Sequence, residues 1–522
     1  MTEAPGANVS PVVQLAAGRL RGTVEGGVAA FKAVPYAAPP IGPLRWHPAQ
    51  PHAGWDGIRD ATRYGPSAPQ MFFEGGDPVL GGHGFPPFDE DCLTLNVWTP
   101  AVDDAARPVL VWIHGGGFLS GSGNLPHYSG ETFARNGDLV VVALNYRLGP
   151  LGYLSFDETD TGQPEPGNLW FSDQLAALRW VHDNIARLGG NPENVTVAGQ
   201  SGGALSTAAL AAHPEASGLF HRVILQSPPL GLHLPSPAEY QERTAAYLEI
   251  AGVKSVDELR ALPWPRLIEA TAGLFGRTAQ WGHWPTPFLP VRDGLTLTRH
   301  PAETLLHGAA QDLDVLIGWT REEANFGLAL DAQYAKATKD RVIGRIAETF
   351  AHDAAHVYAA YERKRPGARP VDVLMDVLTD ELFRSPGLEL AESRAALGRP
   401  VHIYQFDLPT PAHEGRLRAA HCLDLPFVFD NFDQWTHAPF LEGIDPTVRD
   451  GLAQAMHQAW IAFIRTGDPH HPGLPQWDPY DLETRITMRF DSVITAIGDL
   501  AADARRRPAT GMQDSTRLLH GH

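Results

Sequence analysis

The chain has 522 residues, 43% of them hydrophobic and 19% charged, a composition ordinary for a globular protein. That length passes the size at which single cores usually split, so one large α/β domain or two lobes both fit. A formal charge of −19 argues against nucleic acid or an anionic membrane surface as a partner and reads as a solvated acidic surface. Residues 1–6 have neither the basic nor the apolar region of a signal peptide, and no window has the uninterrupted apolar length of a membrane span. Cys92 and Cys422 are too few for a disulfide framework. The expectation is a soluble, cytoplasmic protein.

In chain order, residues 12–36 read as short β-runs punctuated by Gly22 and Gly26-Gly27, a hairpin signal. Residues 31–46 hold Pro35, Pro39, Pro40 and Pro43, which forbid a helix and predict an extended surface strap. A Gly/Pro-rich loop over 66–88 carries Met71, Phe72, Phe73, Phe85 and Phe88, and a strand follows over 90–98. The strand over 109–113 runs into His114-Gly115-Gly116-Gly117-Phe118. Successive glycines there either expose backbone N–H groups to a ligand, as an oxyanion hole requires, or form a plain turn. A strand over 139–146 comes next. Leu175, Leu178, Val181, Ile185 and Leu188 then share one face of a helix over 173–188, stopped by Gly189-Gly190.

The strand over 195–198 leads to Gly199-Gln200-Ser201-Gly202-Gly203, and a Gly, Ala, Leu and Ser helix follows. Gly-x-Ser-x-Gly between a strand and a helix is the spacing of a nucleophile elbow. Beyond it lie a strand over 222–226, helices over about 239–270, a strand over 315–318, helices over about 341–397 and a last core strand over 402–406. Alternating strands and helices imply a large, mostly parallel central sheet flanked by helices, with ligands at the strand C-termini. One α/β domain over 1–522 fits best, with a helix-rich excursion over about 230–400.

A serine hydroxyl needs a base to take its proton, and the base needs a third group to orient it. In such folds the order is serine, acid, histidine. The acid falls on Glu322 or Glu323, both just after the strand over 315–318, and the bare pattern does not separate them. Among 23 histidines, His421 stands out because it follows the last core strand in an apolar loop.

The sequence resembles the type-B carboxylesterases of the α/β-hydrolase fold almost end to end. The resemblance rests on Pro35-Tyr36-Ala37-x-Pro39-Pro40, Glu90-Asp91-Cys92-Leu93, the His-Gly-Gly-Gly run, Asn145-Tyr146-Arg147, Gly167-Asn168 with Asp173-Gln174, and Gly189-Gly190-Asn191-Pro192. Further matches are Pro290-Val291-x-Asp293-Gly294 and Gly467-Asp468-Pro469. It implies Ser201, Glu323 and His421 as catalytic residues, and an oxyanion hole of the Gly116, Gly117 and Gly202 N–H groups. Ser227 matches a family serine that hydrogen-bonds near the acid. Buried pairs Arg45–Glu90 and Arg147–Asp173 are implied as scaffold.

Three positions depart from the family pattern. Gly202 stands where alanine is usual, Gln200 where glutamate is usual, and Ala68 where the cysteine partner of Cys92 is usual, so Cys92 is expected to be a free buried thiol. Phe118, Met71, Phe72 and Phe73, with Gln200 and Cys422, are the expected lining of an apolar, aromatic-walled gorge. The loop over 69–90 has no tryptophan to hold a quaternary ammonium. The implied activity is serine hydrolysis of neutral apolar or aryl esters through an acyl-enzyme, with no metal or organic cofactor and a small-molecule ester as partner. The same triad serves carbamate or amide hydrolysis, and relatives of this fold also act as non-catalytic adhesion modules.

Overall fold

The computed structural model describes residues 10–72, 76–81, 87–156, 167–284, 286–500 and 502. Two hairpins open the chain: β1 (Val12–Leu15) with β2 (Gly18–Arg21), and β3 (Thr23–Glu25) with β4 (Val28–Pro35). β5 (Ile58–Asp60) joins β2 in parallel to complete a three-stranded sheet. Then follow β6 (Thr94–Thr99), β7 (Arg107–Ile113), β8 (Val140–Leu144), β9 (Gly190–Gln200), β10 (Arg222–Gln226) and β11 (Asp314–Thr320). β12 (Val401–Phe406), β13 (Ile486–Phe490) and β14 (Thr495–Gly498) complete an eleven-stranded sheet of order β14-β13-β12-β11-β10-β9-β7-β8-β6-β4-β3. The seven strands from β13 to β8 run parallel, and both flanks turn antiparallel.

The middle strands are apolar on both faces because helices cover both. Along β7, Val109, Val111 and Ile113 enter one core while Leu110 and Trp112 enter the other. β8 splits the same way, with Val140, Val142 and Leu144 opposite Val141 and Ala143. The order reverses where β8 lies on one side of β7 and β9 on the other, and such a reversal opens a crevice at the strand C-termini. Both Gly-rich turns lead out of it.

The helix-rich stretch is two excursions with β11 between them. The first includes the helices Pro237–Ala251, Val256–Ala261 and Trp264–Thr278. The second holds Lys339–Phe350, Ala354–Lys364 and Pro370–Thr379 around a third core containing Val342, Ile346, Tyr358, Val371 and Leu374, and Ser385–Ala396, whose Leu388, Leu390 and Ala391 join the first core. Among the described residues no helix is long and apolar enough to cross a membrane.

Three expectations need correction. The strand at 402–406 is not the last of the sheet: β13 pairs with β12 across the long helix Pro446–Thr466, too far along the chain for local pattern to connect them. The strap is not a surface feature. Tyr36, Ala37 and Trp46 are buried, and Gly42–Leu44 forms one 3-10 turn, which Pro43 tolerates in its first positions. The helix expected over 173–188 begins at Leu169, ends at Asn184 and tightens into a 3-10 turn over Ile185–Leu188.

Two buried ion pairs lock this frame. Arg147 donates to Asp173 through Nε (2.8 Å) and Nη2 (2.6 Å), with both side chains almost wholly enclosed. Arg45 Nε donates to Glu90 (2.7 Å), and its Nη1 donates to the Arg260 and Leu262 carbonyls at 2.6 Å each, tying the strap to the first excursion. Cys92 and Cys422 are free and buried.

Candidate active site

β9 ends at Gln200, and Ser201 turns the chain with φ 56° and ψ −125° into the helix Gly202–Ala212. No regular element has those angles, and a residue held there stores strain at a tight turn. The turn is that sharp because Gly199 and Gly203 touch: a Cβ on Gly199 would strike the Gly203 carbonyl, and one on Gly203 the carbonyls of Ile113 and His114. Its geometry is fixed by the Ser201 N–H donating to the Gln226 carbonyl at 2.9 Å. Ser201 itself stays partly open to solvent.

Glu323 and His421 meet beside this turn. Thr320 N–H donates to Glu323 Oε1 (2.6 Å), and the other carboxylate oxygen accepts from His421 Nδ1. Glu322 points elsewhere: it accepts from the Ala419 N–H (3.2 Å) and pairs with Arg321 and Arg365. The structure therefore separates two adjacent glutamates that the bare pattern could not. Burial opposes a charge on His421, but Cys422 and Glu323 outweigh it and hold the imidazole pKa well above its ordinary 6.5. Nε2 makes no hydrogen bond with Ser201 Oγ. It lies 3.0 Å from the Gln200 side-chain nitrogen, which also donates to Cys422 Sγ at 3.3 Å.

Across the crevice, Gly116 and Gly117 present their backbone to solvent with φ 121° and 61°. Neither N–H donates to another group among the described residues. Gly202 opens a helix, where the first N–H groups lack intrahelical partners. Just beyond the glycine run, Gln70 accepts from the Gly121 N–H (2.8 Å) and donates to the Gly121 carbonyl (2.9 Å). His114 stacks on Tyr146 with centroids 4.5 Å apart, and burial pushes its pKa down to about 4, so the ring is neutral.

Of the expected lining, Gln200 and Cys422 lie at His421. Phe118 is buried against Tyr153 (5.2 Å), and its ring edge lies where a Cβ on Gly202 would come within 3.0 Å. Phe72 is 49% exposed and packs on Phe88 (6.3 Å), Met71 is half-buried, and Phe73 lies outside the described residues. The rings around His421 are Trp284 (6.0 Å), Phe326 (6.1 Å) and Phe383 (5.3 Å), all from the excursions. No local motif marks these three. Phe383 does lie in a π-helical turn, Asp380–Arg384, a geometry frequent at functional sites.

A second buried carboxyl, Asp424, is marked in the chain only as the acidic residue three after His421. Its Oδ2 accepts from the Tyr404 hydroxyl (3.1 Å) and the Gln226 amide (3.3 Å). Burial, reinforced by the Glu323 charge, pushes its pKa up to about 6. The hydrogen bond expected of Ser227 is not formed: its hydroxyl is buried without a partner among the described residues, and only its N–H is engaged, by the Gly318 carbonyl (2.8 Å). Among the described residues no three His, Cys, Asp or Glu side chains group as a metal site.

The mixed sheet with its strand-order reversal, a serine at a strained strand-to-helix turn and an acid–histidine pair from later strand ends define the α/β-hydrolase fold. Profile comparison matches residues 9–504 to the carboxylesterase family. The chain is 48% identical to a phenmedipham hydrolase of Pseudarthrobacter oxydans, over 98% of this chain and 99% of that one. It is 35% identical to a para-nitrobenzyl esterase of Bacillus subtilis, over 94% and 96%. A Geobacillus stearothermophilus carboxylesterase structure superposes with a TM-score of 0.84 at 38% identity, covering 95% of this chain and 99% of that one. The chain belongs to the carboxylesterase family.

Proposed function

We propose that Ser201, His421 and Glu323 are the nucleophile, base and orienting acid of this carboxylesterase. The observation that carries this is the buried His421–Glu323 pair set beside a strained, solvent-reachable Ser201, with the Gly116 and Gly117 N–H groups unengaged across the crevice. Glu323 fixes the imidazole with Nδ1 protonated, which leaves Nε2 as the acceptor for the serine proton. Ser201 Oγ attacks the ester carbonyl, and its proton passes to Nε2. The oxyanion takes hydrogen bonds from Gly116, Gly117 and Gly202. Collapse of the intermediate breaks the C–O bond, and His421 returns the proton to the leaving alkoxide. Water repeats the sequence on the acyl-enzyme, releasing the acid and restoring the serine.

Small neutral esters with apolar or aryl groups are the preferred substrates in this reading. Trp284, Phe326 and Phe383 offer apolar faces, and Gln200 puts no negative charge beside the nucleophile for a cation to use. A cytoplasmic setting belongs to the same proposal and rests on the two free, buried thiols. Carbamate hydrolysis is the second reading, favoured by the relative named for phenmedipham.

Rates on matched butyryl ester, carbamate and amide substrates, with phenmedipham and butyrylcholine added, test these readings. The account expects p-nitrophenyl butyrate to be turned over, n-butyl butyrate to exceed butyrylcholine in kcat/KM, and Ser201→Ala to lose turnover with unchanged melting. Full activity in a folded Ser201→Ala overturns it.

A further inference from the structure

Gln200 is the last residue of β9, buried, and its side-chain nitrogen lies 3.0 Å from Nε2 of His421. The carboxylate of Glu323 can only accept, so Nδ1 carries a proton in either charge state, and in the neutral ring Nε2 carries a lone pair. An amide N–H facing that lone pair is a hydrogen-bond donor to the neutral ring. The same nitrogen reaches Cys422 Sγ, so the amide is held from two sides. Room for it exists because Gly115 has no side chain: a Cβ there would sit 2.7 Å from Gln200 Oε1.

We propose that Gln200 is a positioning residue that occupies the proton-accepting nitrogen of His421 in the unloaded enzyme, and that Ser201 takes this place only when substrate binds. The inference rests on the roles given above to Ser201 and His421. A donor at Nε2 stabilises the neutral imidazole, whereas an imidazolium would require the amide to turn its oxygen toward Nε2–H and give up the bond to Cys422 Sγ. The glutamate usual at this position does the opposite: its carboxylate accepts from the imidazolium and favours the charged ring. Gln200 therefore makes the base available at lower pH than a glutamate would, at the expense of competing with the serine for it.

Other groups around the ring set the background against which Gln200 acts. Glu323 faces Nδ1, Cys422 lies on the same loop, and Asp424, held by Tyr404 and Gln226, is electrostatically coupled to the ring. Among the described residues, the rings of Trp284, Phe326 and Phe383 approach it from the excursions.

The test is the acid limb of the pH profiles of Gln200→Met and Gln200→Glu against the parent enzyme. The limb in kcat/KM reports the free enzyme and the limb in kcat the substrate complex. The kcat/KM limb is expected to move upward in the order parent, Gln200→Met, Gln200→Glu, the last by about one unit or more. For Gln200→Met the kcat limb is expected to stay within a few tenths, because Ser201 holds Nε2 once substrate is bound. Gln200→Met, close in shape and uncharged, carries the test if the charge of Gln200→Glu prevents folding. A common kcat/KM limb, or equal shifts in kcat and kcat/KM for Gln200→Met, overturns the proposal. Failure of the underlying roles shows separately, as turnover by Ser201→Ala.

Discussion

His421 touches two unlike regions of the molecule. From the sheet side come Glu323, after β11, and Gln200, at the end of β9, each fixed by a strand end. From the excursions come Trp284, Phe326 and Phe383, which offer rings and no charge. The sheet side does its work through backbone geometry, where a shift of one residue destroys the site. Adjacent Glu322 and Glu323 demonstrate this, one turned to Arg321 and Arg365 and the other to the imidazole. The excursion side works through shape, which several ring arrangements can supply. In the proposed reading, chemistry and selectivity are carried by separate parts of the chain and should respond separately to substitution.

Substituting the two glutamates gives the largest expected contrast. Glu323→Gln removes the charge that orients and supports the imidazolium, and kcat should fall by roughly 10³–10⁴-fold, as in other triads that lose their acid. Glu322→Gln, one residue away, should keep kcat within about tenfold, since its partners are arginines and a backbone N–H. Equal losses in the two variants would erase the distinction between the glutamates.

Next in size is the frame beneath the site. Arg147→Met leaves the Asp173 charge buried and uncompensated, an expected cost of about 3–5 kcal/mol, read as a lowered midpoint in denaturant or heat. An unchanged midpoint would show that the pair does not brace the sheet side.

The excursion side should yield smaller and more selective changes. Trp284→Ala is expected to change the ratio of kcat/KM for p-nitrophenyl and n-butyl butyrates by about tenfold, with melting nearly unchanged. A matching loss on both substrates would mean that the ring supports the base rather than shapes the pocket.

The pH dependence ties the two regions together. With His421 as the proposed base, turnover needs the neutral imidazole, and a pKa held above 6.5 keeps the ring protonated to higher pH, so the acid limb of kcat/KM should lie above 6.5. Losing the carboxylate in Glu323→Gln should bring the residual activity's limb down.

The difference between the regions also explains what the sequence reveals. Turns that need glycine at fixed offsets are local, so the elbow at 199–203 and the run at 115–117 are legible in the amino-acid order alone. The choice of Glu323 over Glu322 rests on resemblance, since the two differ by a single residue just past the end of β11. Trp284, Phe326 and Phe383 are not legible, because rings that converge from three separate segments leave no spacing to read. Neither is the Gln200–His421 contact, which joins residues 221 positions apart. Strand β13 is hidden for the same reason, being partnered with β12 across the long helix Pro446–Thr466.

The most direct measurement is intact-mass and peptide-mapped mass spectrometry of the enzyme treated with a p-nitrophenyl phosphonate, with Ser201→Ala in parallel. The account predicts one adduct per chain, on Ser201, p-nitrophenol released in equal amount, loss of ester hydrolysis in proportion, and no adduct in the variant. An adduct on Cys422 or another residue that tracks the loss of activity, or full hydrolysis by the fully modified protein, would contradict it.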